Sequence, residues 1–246
     1  MSFAANLERI REQIADACRC AQRAEADVAL MAVSKMHPAD AVKAAYAAGV
    51  RLFGENRVQE WQDKSQELQD IFGVQQGASE DERARVHLIG PLQSNKTSRA
   101  AELFDAIDAV DSLKVATRLD AAARVLGKKL PILIEVKLSH EESKHGVSAE
   151  ELPRFLGSIA PLDALIPAGL MTVPPWSEDY ELARPYFREL RRLRDVSRAE
   201  CATLTQLSMG MSIDFAVAIE EGSTCVRIGT ALFGKRQHPK SWGQGT

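Results

Sequence analysis

Val28-Ala29-Leu30-Met31-Ala32-Val33-Ser34-Lys35 is a run of six apolar residues that stops at a serine and a lysine, with His37-Pro38 opening a helical pattern behind it. Continuous rather than alternating apolar character marks a strand buried on both faces, as in a parallel sheet covered by helices. The lysine therefore stands at the carboxyl end of a buried strand, the end at which α/β proteins hold their ligands.

The same rhythm continues outward from this strand. A helix from Pro38 to about Ala48, stopped by Gly49, leads to a strand over Leu52–Asn56 and a helix around Val58–Leu68. Gly73–Arg85 has no periodicity and reads as a long surface loop. Beyond it come strand Val86–Ile89, a helix capped by Ser94 through Leu103, strand Ala106–Val110, and a helix capped by Asp111-Ser112 that ends near Leu126-Gly127. Strand Leu130–Leu138, a helix within Glu150–Ile159, strand Leu165–Val173 and a long helix between Glu178 and Glu200, bending at Pro185, come next. Strand Thr203–Ser208, helix Ser212–Glu221 closed by Gly222, strand Thr224–Gly229 and a short helical turn complete the series. Eight strands each followed by a helix, in a chain close to the ~250 residues usual for such folds, predict a single (β/α)8 TIM barrel domain over residues 1–246. Leu7, Ile10, Ile14 and Cys18 recur at helical spacing, so an extra N-terminal helix over about 3–24 covers some part of it, and a short polar tail occupies about 236–246. An open doubly wound sheet is the alternative, but no G-x-G-x-x-G follows the first strand.

Composition excludes several classes. A formal net charge of -3, 45% hydrophobic and 26% charged residues describe an ordinary globular chain with no global attraction for nucleic acid or anionic membrane. The run Arg188, Arg191, Arg192, Arg194 alternates with Glu189 and Asp195 and reads as a solvated helix face. Cys18, Cys20, Cys201 and Cys225 form no CxxC pair and read as spectator thiols, leaving no metal site. Charges near the start, and the lack of a long apolar segment, make the cytoplasm the expected location.

Three groups can carry chemistry. Lys35 supplies an amine able to condense with an aldehyde once its surroundings lower its pKa. Ser208-Met209-Gly210-Met211-Ser212 and Ile228-Gly229-Thr230 each place small and hydroxyl residues just behind a strand, an arrangement that binds anions, and barrels frequently hold phosphate behind strands 7 and 8. Tight turns and helix caps are the alternative for either segment. Arg227, inside the last strand, projects into the barrel mouth if alternation turns it inward, where its partner is a ligand atom or one of Glu135 and Asp214.

The motifs together resemble one family. Ala32-Val33-Ser34-Lys35, Phe53-Gly54-Glu55-Asn56 with Val58-Gln59-Glu60, His87 through Lys96, Gly169-Leu170-Met171, Leu207 through Ser212, and Gly222 through Thr230 occur in the order found in the YggS/PROSC family of pyridoxal phosphate homeostasis proteins. The resemblance runs from Val33 to Gly234. It implies a barrel like the N-terminal domain of alanine racemase, with pyridoxal 5′-phosphate (PLP) bound covalently as a Schiff base on Lys35. It further implies that Asn56 lies near the ring, that Ser208, Gly210, Met211, Ser212, Gly229 and Thr230 surround the phosphate, and that Arg227 faces the pyridine nitrogen. Met36-His37, Arg57, Lys137 and Ile213 depart from the usual family residues, and the 73–85 loop is longer than usual; these changes fall on the pocket rim.

An arginine cannot protonate the ring nitrogen, which weakens the electron sink that carbanion chemistry needs. The racemase relatives also use a tyrosine from a second domain, whereas Tyr46, Tyr180 and Tyr186 here fall in predicted helices away from the strand ends, and the chain is expected to end soon after the barrel. His87 is a possible substitute base, though a core histidine is the commoner role of such a residue. The resemblance thus implies a non-catalytic, monomeric carrier of PLP in vitamin B6 homeostasis that passes the cofactor to apoenzymes. A PLP-dependent racemase or lyase on the same barrel is the alternative, and a cofactor-free Schiff-base aldolase a third. Lys96, Lys137 and Lys144 read as surface lysines, with secondary binding as their other reading.

Overall fold

The computed structural model describes residues 2–73, 83–139 and 146–234. Most of the 73–85 loop, Lys144 and the tail at 236–246 lie outside the described residues. Nine strands are described: β1 (Ala29–Val33), β2 (Leu52–Glu55), β3 (Arg85–Leu88), β4 (Ala106–Val110), β5 (Leu130–Lys137), β6 (Val147–Ser148), β7 (Leu165–Met171), β8 (Gln206–Ser208) and β9 (Cys225–Ile228). All pairings are parallel, and β1–β2–β3–β4–β5–β7–β8–β9 closes on itself through the β1–β9 ladder, with two-residue β6 added beside β5. This is the predicted eight-stranded barrel. The helices are α1 (Phe3–Cys20), α2 (Ala39–Ala47), α3 (Val58–Ser65), α4 (Gln69–Phe72), α5 (Thr97–Leu103), α6 (Leu113–Val125), α7 (Leu152–Ile159), α8 (Arg184–Ser197), α9 (Phe215–Glu220) and α10 (Thr230–Phe233).

The strands divide their side chains between two compartments. Ala32, Phe53, Val86, Leu88, Val226 and Ile228 join the large core between the barrel and its helices. Ala109, Leu133, Ala168 and Met171, on β4, β5 and β7, form a separate small apolar cluster. Gly54 on β2 makes room for Met31 of neighbouring β1, whose sulfur would lie 2.7 Å from any Cβ at that position. The buried stripe of α1, Leu7, Ile10, Ile14 and Cys18, packs the N-terminal helix against α9 and α10, and Asn6 Nδ2 donates to the Leu232 carbonyl at 2.9 Å.

Several boundaries differ from the sequence reading. The N-terminal helix ends at Cys20 rather than about 24, and a 3-10 turn (Glu25–Asp27) follows. Lys96, not Ser94, precedes α5, while the Ser94 carbonyl accepts from Thr97 Oγ1. Pro185 does not bend a long helix: Tyr180–Ala183 is a separate 3-10 turn and the proline lies in the first turn of α8, where its missing N–H costs nothing. The arginines of α8 are not merely solvated. Arg184, Arg188 and Arg191 converge on the buried Glu221 at 3.2, 3.0 and 3.4 Å and bind α8 to the end of α9.

Candidate functional site at the carboxyl end of the barrel

In the barrel ring, β9 lies between β8 and β1, and β2 and β3 follow. The loops after these five strands therefore share one arc of the carboxyl rim. Lys35 is two residues past β1, half-buried in a turn in which the His37 N–H donates to the Ser34 carbonyl at 3.1 Å. Met36 completes the turn at φ 61°, a conformation that disfavours non-glycine residues and persists only where surroundings enforce it.

A buried ionic clamp supplies that enforcement. Ser34 Oγ donates to Glu55 Oε1 at 2.7 Å, and Lys64 Nζ donates to the same oxygen at 2.7 Å and to the Ser34 carbonyl at 3.0 Å. Lys64 also reaches Glu60 Oε1 at 3.4 Å, and that carboxylate accepts the Met36 N–H. The residues on both sides of Lys35 are thus fixed by β2 and α3. Burial pushes the Glu55 carboxyl up from its usual value, while Lys64 and the Ser34 hydroxyl pull it back. Sequence reasoning missed Lys64, whose only local signal was its i,i+4 spacing from Glu60.

Arg227 comes in from β9. Its side chain is 4% exposed, Nη1 donates to Ser208 Oγ at 2.8 Å, and Nη2 donates to the Thr172 carbonyl at 2.9 Å. Burial lowers its pKa, opposed by the charges of Cys225, Asp108, Asp214 and Glu135. Neither Glu135 nor Asp214 pairs with it directly, so both of the structural partners considered from sequence give way to a hydroxyl and a carbonyl. A buried cation held by neutral acceptors is an electrostatically unsatisfied group.

Two cavities meet at Lys35 and Arg227. One, of about 140 Å³, is also lined by His37, Ser212, Gly229 and Thr230. The other, of about 330 Å³, is also lined by Asn56, Glu135, Lys137 and Ser139. Met211 and Ile89 are common to both. The His37 ring is stacked on Phe233 at 4.8 Å, so α10 helps shape the first cavity. Ser212 lies beside the start of α10, where its hydroxyl accepts the Ala231 N–H at 3.4 Å.

Seven of the nine residues singled out from sequence, namely Lys35, Asn56, Met211, Ser212, Arg227, Gly229 and Thr230, line one or both cavities. Ser208 and Gly210 line neither. Ser208 is fully buried under Arg227, and Gly210, at φ +92°, accepts the Arg227 backbone N–H at 3.0 Å where an added Cβ would lie 2.6 Å from Ala218. Both support the site from beneath instead of facing into it. Ser212 also precedes α9 by three residues and does not begin the helix, because the Asp214 carboxylate accepts the Met211 N–H at 2.5 Å and holds the intervening turn. His87 is bonded to Asp108 at 3.0 Å and lines neither cavity, which removes it as a base facing Lys35. Tyr46 and Tyr186 lie in α2 and α8 and Tyr180 in the 3-10 turn, as the sequence suggested, and none lines these cavities.

Asn56 is placed by Gly90, where a Cβ would come 2.4 Å from the Asn56 carbonyl oxygen and 2.9 Å from its Cα. Gly90→Ala is therefore expected to cost about 1–3 kcal/mol and to move Asn56 out of the cavity wall. Urea denaturation measures the first effect. A crystal structure of the variant measures the second, and an unmoved Asn56 backbone would refute it.

The alanine racemase N-terminal domain model matches residues 5–237. The pyridoxal phosphate homeostasis protein of Vibrio alginolyticus is 41% identical over 238 residues, covering 96% of this chain and 99% of that one. The protein of the same name from Aquifex aeolicus is 39% identical, covering 97% and 100%. PipY of Synechococcus elongatus, solved with PLP bound, superposes with a TM-score of 0.81 at 37% identity over 95% of this chain and 100% of that one. A Clostridium difficile alanine racemase shares the fold at a TM-score of 0.66 and 16% identity, covering 97% of this chain and 57% of the racemase. The barrel, the order of its motifs and these relatives agree: the chain belongs to the alanine racemase N-terminal domain family and, within it, to the pyridoxal phosphate homeostasis proteins.

Proposed function

We propose that this protein binds PLP reversibly in vitamin B6 homeostasis, as a Schiff base on Lys35, and hands it to apoenzymes without robust catalysis of its own. The observation that carries this reading is that Lys35 and Arg227 line both halves of a divided cavity, with Ser212, Gly229 and Thr230 at one end. That arrangement fits the cofactor. An amine stands at the lip for the aldehyde, hydroxyl and glycine-bearing turns lie at one end for the phosphate, and a buried guanidinium held only by neutral acceptors awaits the ring nitrogen. PLP is bound in PipY, 37% identical to this chain.

When bound, PLP supplies an aldehyde for capture and an aromatic ring able to delocalise charge. Lys35 Nζ adds to the aldehyde carbon, a carbon–nitrogen double bond forms and one water leaves; hydrolysis reverses this and releases the cofactor. Asn56 borders the ring, and Ser212, Gly229, Thr230 and Met211 close around the phosphate. Ser208 and Gly210 hold Arg227 and its strand in place. Arg227 only donates, so the ring nitrogen keeps its lone pair and electron withdrawal stays weak, which favours holding the cofactor over using it.

Borohydride reduction of the PLP-loaded protein followed by peptide mass mapping is expected to place the pyridoxyl group on Lys35. A different lysine as the main product overturns the assignment. Cofactor loaded on the protein should reach an apoenzyme faster than free cofactor does in a trapping assay; an equal rate removes the delivery role. Racemisation of amino acids that disappears in Lys35→Ala would identify an enzyme instead.

A further inference from the structure

The opposite end of the barrel carries a further cavity, of about 480 Å³, which shares no lining residue with the two cavities at Lys35. Such amino-terminal ends ordinarily contribute stability alone. Here Arg51, Arg83, Arg85 and His87 line it, together with one carboxylate, that of Asp108. Arg51 precedes β2 and lies with its guanidinium 4.1 Å over the Tyr46 ring, Nη1 donating to the Tyr46 and Val50 carbonyls. Arg85 opens β3 and is exposed at the mouth. Among the described residues, neither lies within ion-pair distance of a carboxylate, since Asp105 is engaged by Arg83 at 2.5 Å and Asp108 by His87 at 3.0 Å. The third guanidinium is only partly satisfied, because Arg83 Nε is buried with no hydrogen-bond partner among the described residues.

Arg83 already has Asp105 and His87 has Asp108, so Arg51 and Arg85 are the two guanidinium groups on this concave surface left without a carboxylate among the described residues, and an anion lying between them offsets their repulsion. An orphaned buried N–H adds a donor that lacks its acceptor. A carboxylate offers two oxygens, whereas a phosphate monoester offers three terminal oxygens and a double charge, which suits a set of planar forks better. The cavity also has room beyond a bare phosphate for the group the ester carries. We propose that the amino-terminal mouth of the barrel is a second, noncovalent site that takes a phosphate monoester through Arg51, Arg83 and Arg85. The site has no amine in the position of Lys35 and stands independently of the function proposed for the other end.

The test is a titration of the full-length protein with inorganic phosphate and, separately, with pyridoxine 5′-phosphate, which has no aldehyde and so cannot condense with Lys35. Heteronuclear NMR locates the binding. Saturable shifts of the Arg85, His87 and Thr224 signals are expected, distinct from any at Ser212, Gly229 and Thr230. Arg51→Gln and Arg85→Gln, both at the rim, should each weaken that binding by about tenfold or more. Equal affinity for the two probes assigns recognition to the phosphate alone, and tighter binding of the ester assigns part of it to the substituent; both support the site. No saturable shift at the amino-terminal end up to about 10 mM of either probe, or affinity unchanged in both variants, overturns it.

Discussion

Lys64→Met is expected to destabilise the protein by about 3–5 kcal/mol, the cost of removing one partner from a buried ion pair. The side chain of Lys64 is 7% exposed and that of Glu55 0%, so the carboxylate left behind has no water to turn to. Among the described residues, its second oxygen already lacks a hydrogen-bond partner. Methionine keeps the length and most of the volume of the lysine stem, so the loss reflects charge and hydrogen bonding rather than a cavity. The sign of the pH dependence follows from Glu55. Burial already raises its pKa in the folded protein, and removing Lys64 withdraws the largest opposing influence. A carboxyl whose folded pKa is raised contributes stability that is complete below its unfolded value, about 4.3, and is lost as pH rises through the folded value. The deficit of the variant in urea denaturation should therefore widen from acidic to neutral pH. Lys64→Met combined with Glu55→Gln should recover much of the loss, because no charge is left buried. A deficit under about 1 kcal/mol, or a double variant no more stable than the single one, would show that the clamp does not hold the turn.

The clamp also marks where sequence reading stopped. The barrel was legible because its strands are short continuous apolar runs bounded by turn residues, and Val28–Val33, Ala106–Val110 and Leu130–Leu138 each appear as strands within a residue or two. Lys35, Arg227 and the two glycine-bearing turns were legible because a strand end is a place in the sequence as well as in space. What joins them was not. Lys64 is distant in the chain from Ser34, and from α3 alone it reads as half of an exposed pair with Glu60. Ser208 has the parity of an inward-facing residue, but the stagger between neighbouring barrel strands decides whether such a residue faces the cavity or lies beneath another side chain. Here Arg227 lies over it. Short-range chemistry was also misread in places: the Asp214 carboxylate holds residues 211–214 as a turn where helix periodicity placed the start of α9. His87 was ambiguous for the same reason as Ser208, since alternation turns it inward without saying towards which end, and its bond to Asp108 sets it in the amino-terminal cavity.

Lys35→Ala separates the two things the proposed site does, capturing an aldehyde and accommodating a phosphorylated ring. The variant should lose the near-visible absorbance of the loaded protein entirely, because no other lysine is proposed to condense with the cofactor. Stability should change little. The side chain is half-buried at a cavity lip, and the turn around it is held by Lys64 on the Ser34 carbonyl, Glu60 on the Met36 N–H and Glu55 on the Ser34 hydroxyl, so a shift within about 1 kcal/mol is expected. Residual, noncovalent binding should survive because Arg227, Ser212 and Thr230 are untouched, and it should be read by competition with inorganic phosphate. Thr230→Val is the complementary case: the amine remains, so the absorbance persists, but cofactor concentrations for half-saturation should rise by about tenfold as one hydroxyl partner is removed. Near-visible absorbance retained in Lys35→Ala would transfer the covalent role to another amine, and Lys137, the other lysine lining the same cavity, would be the first to replace.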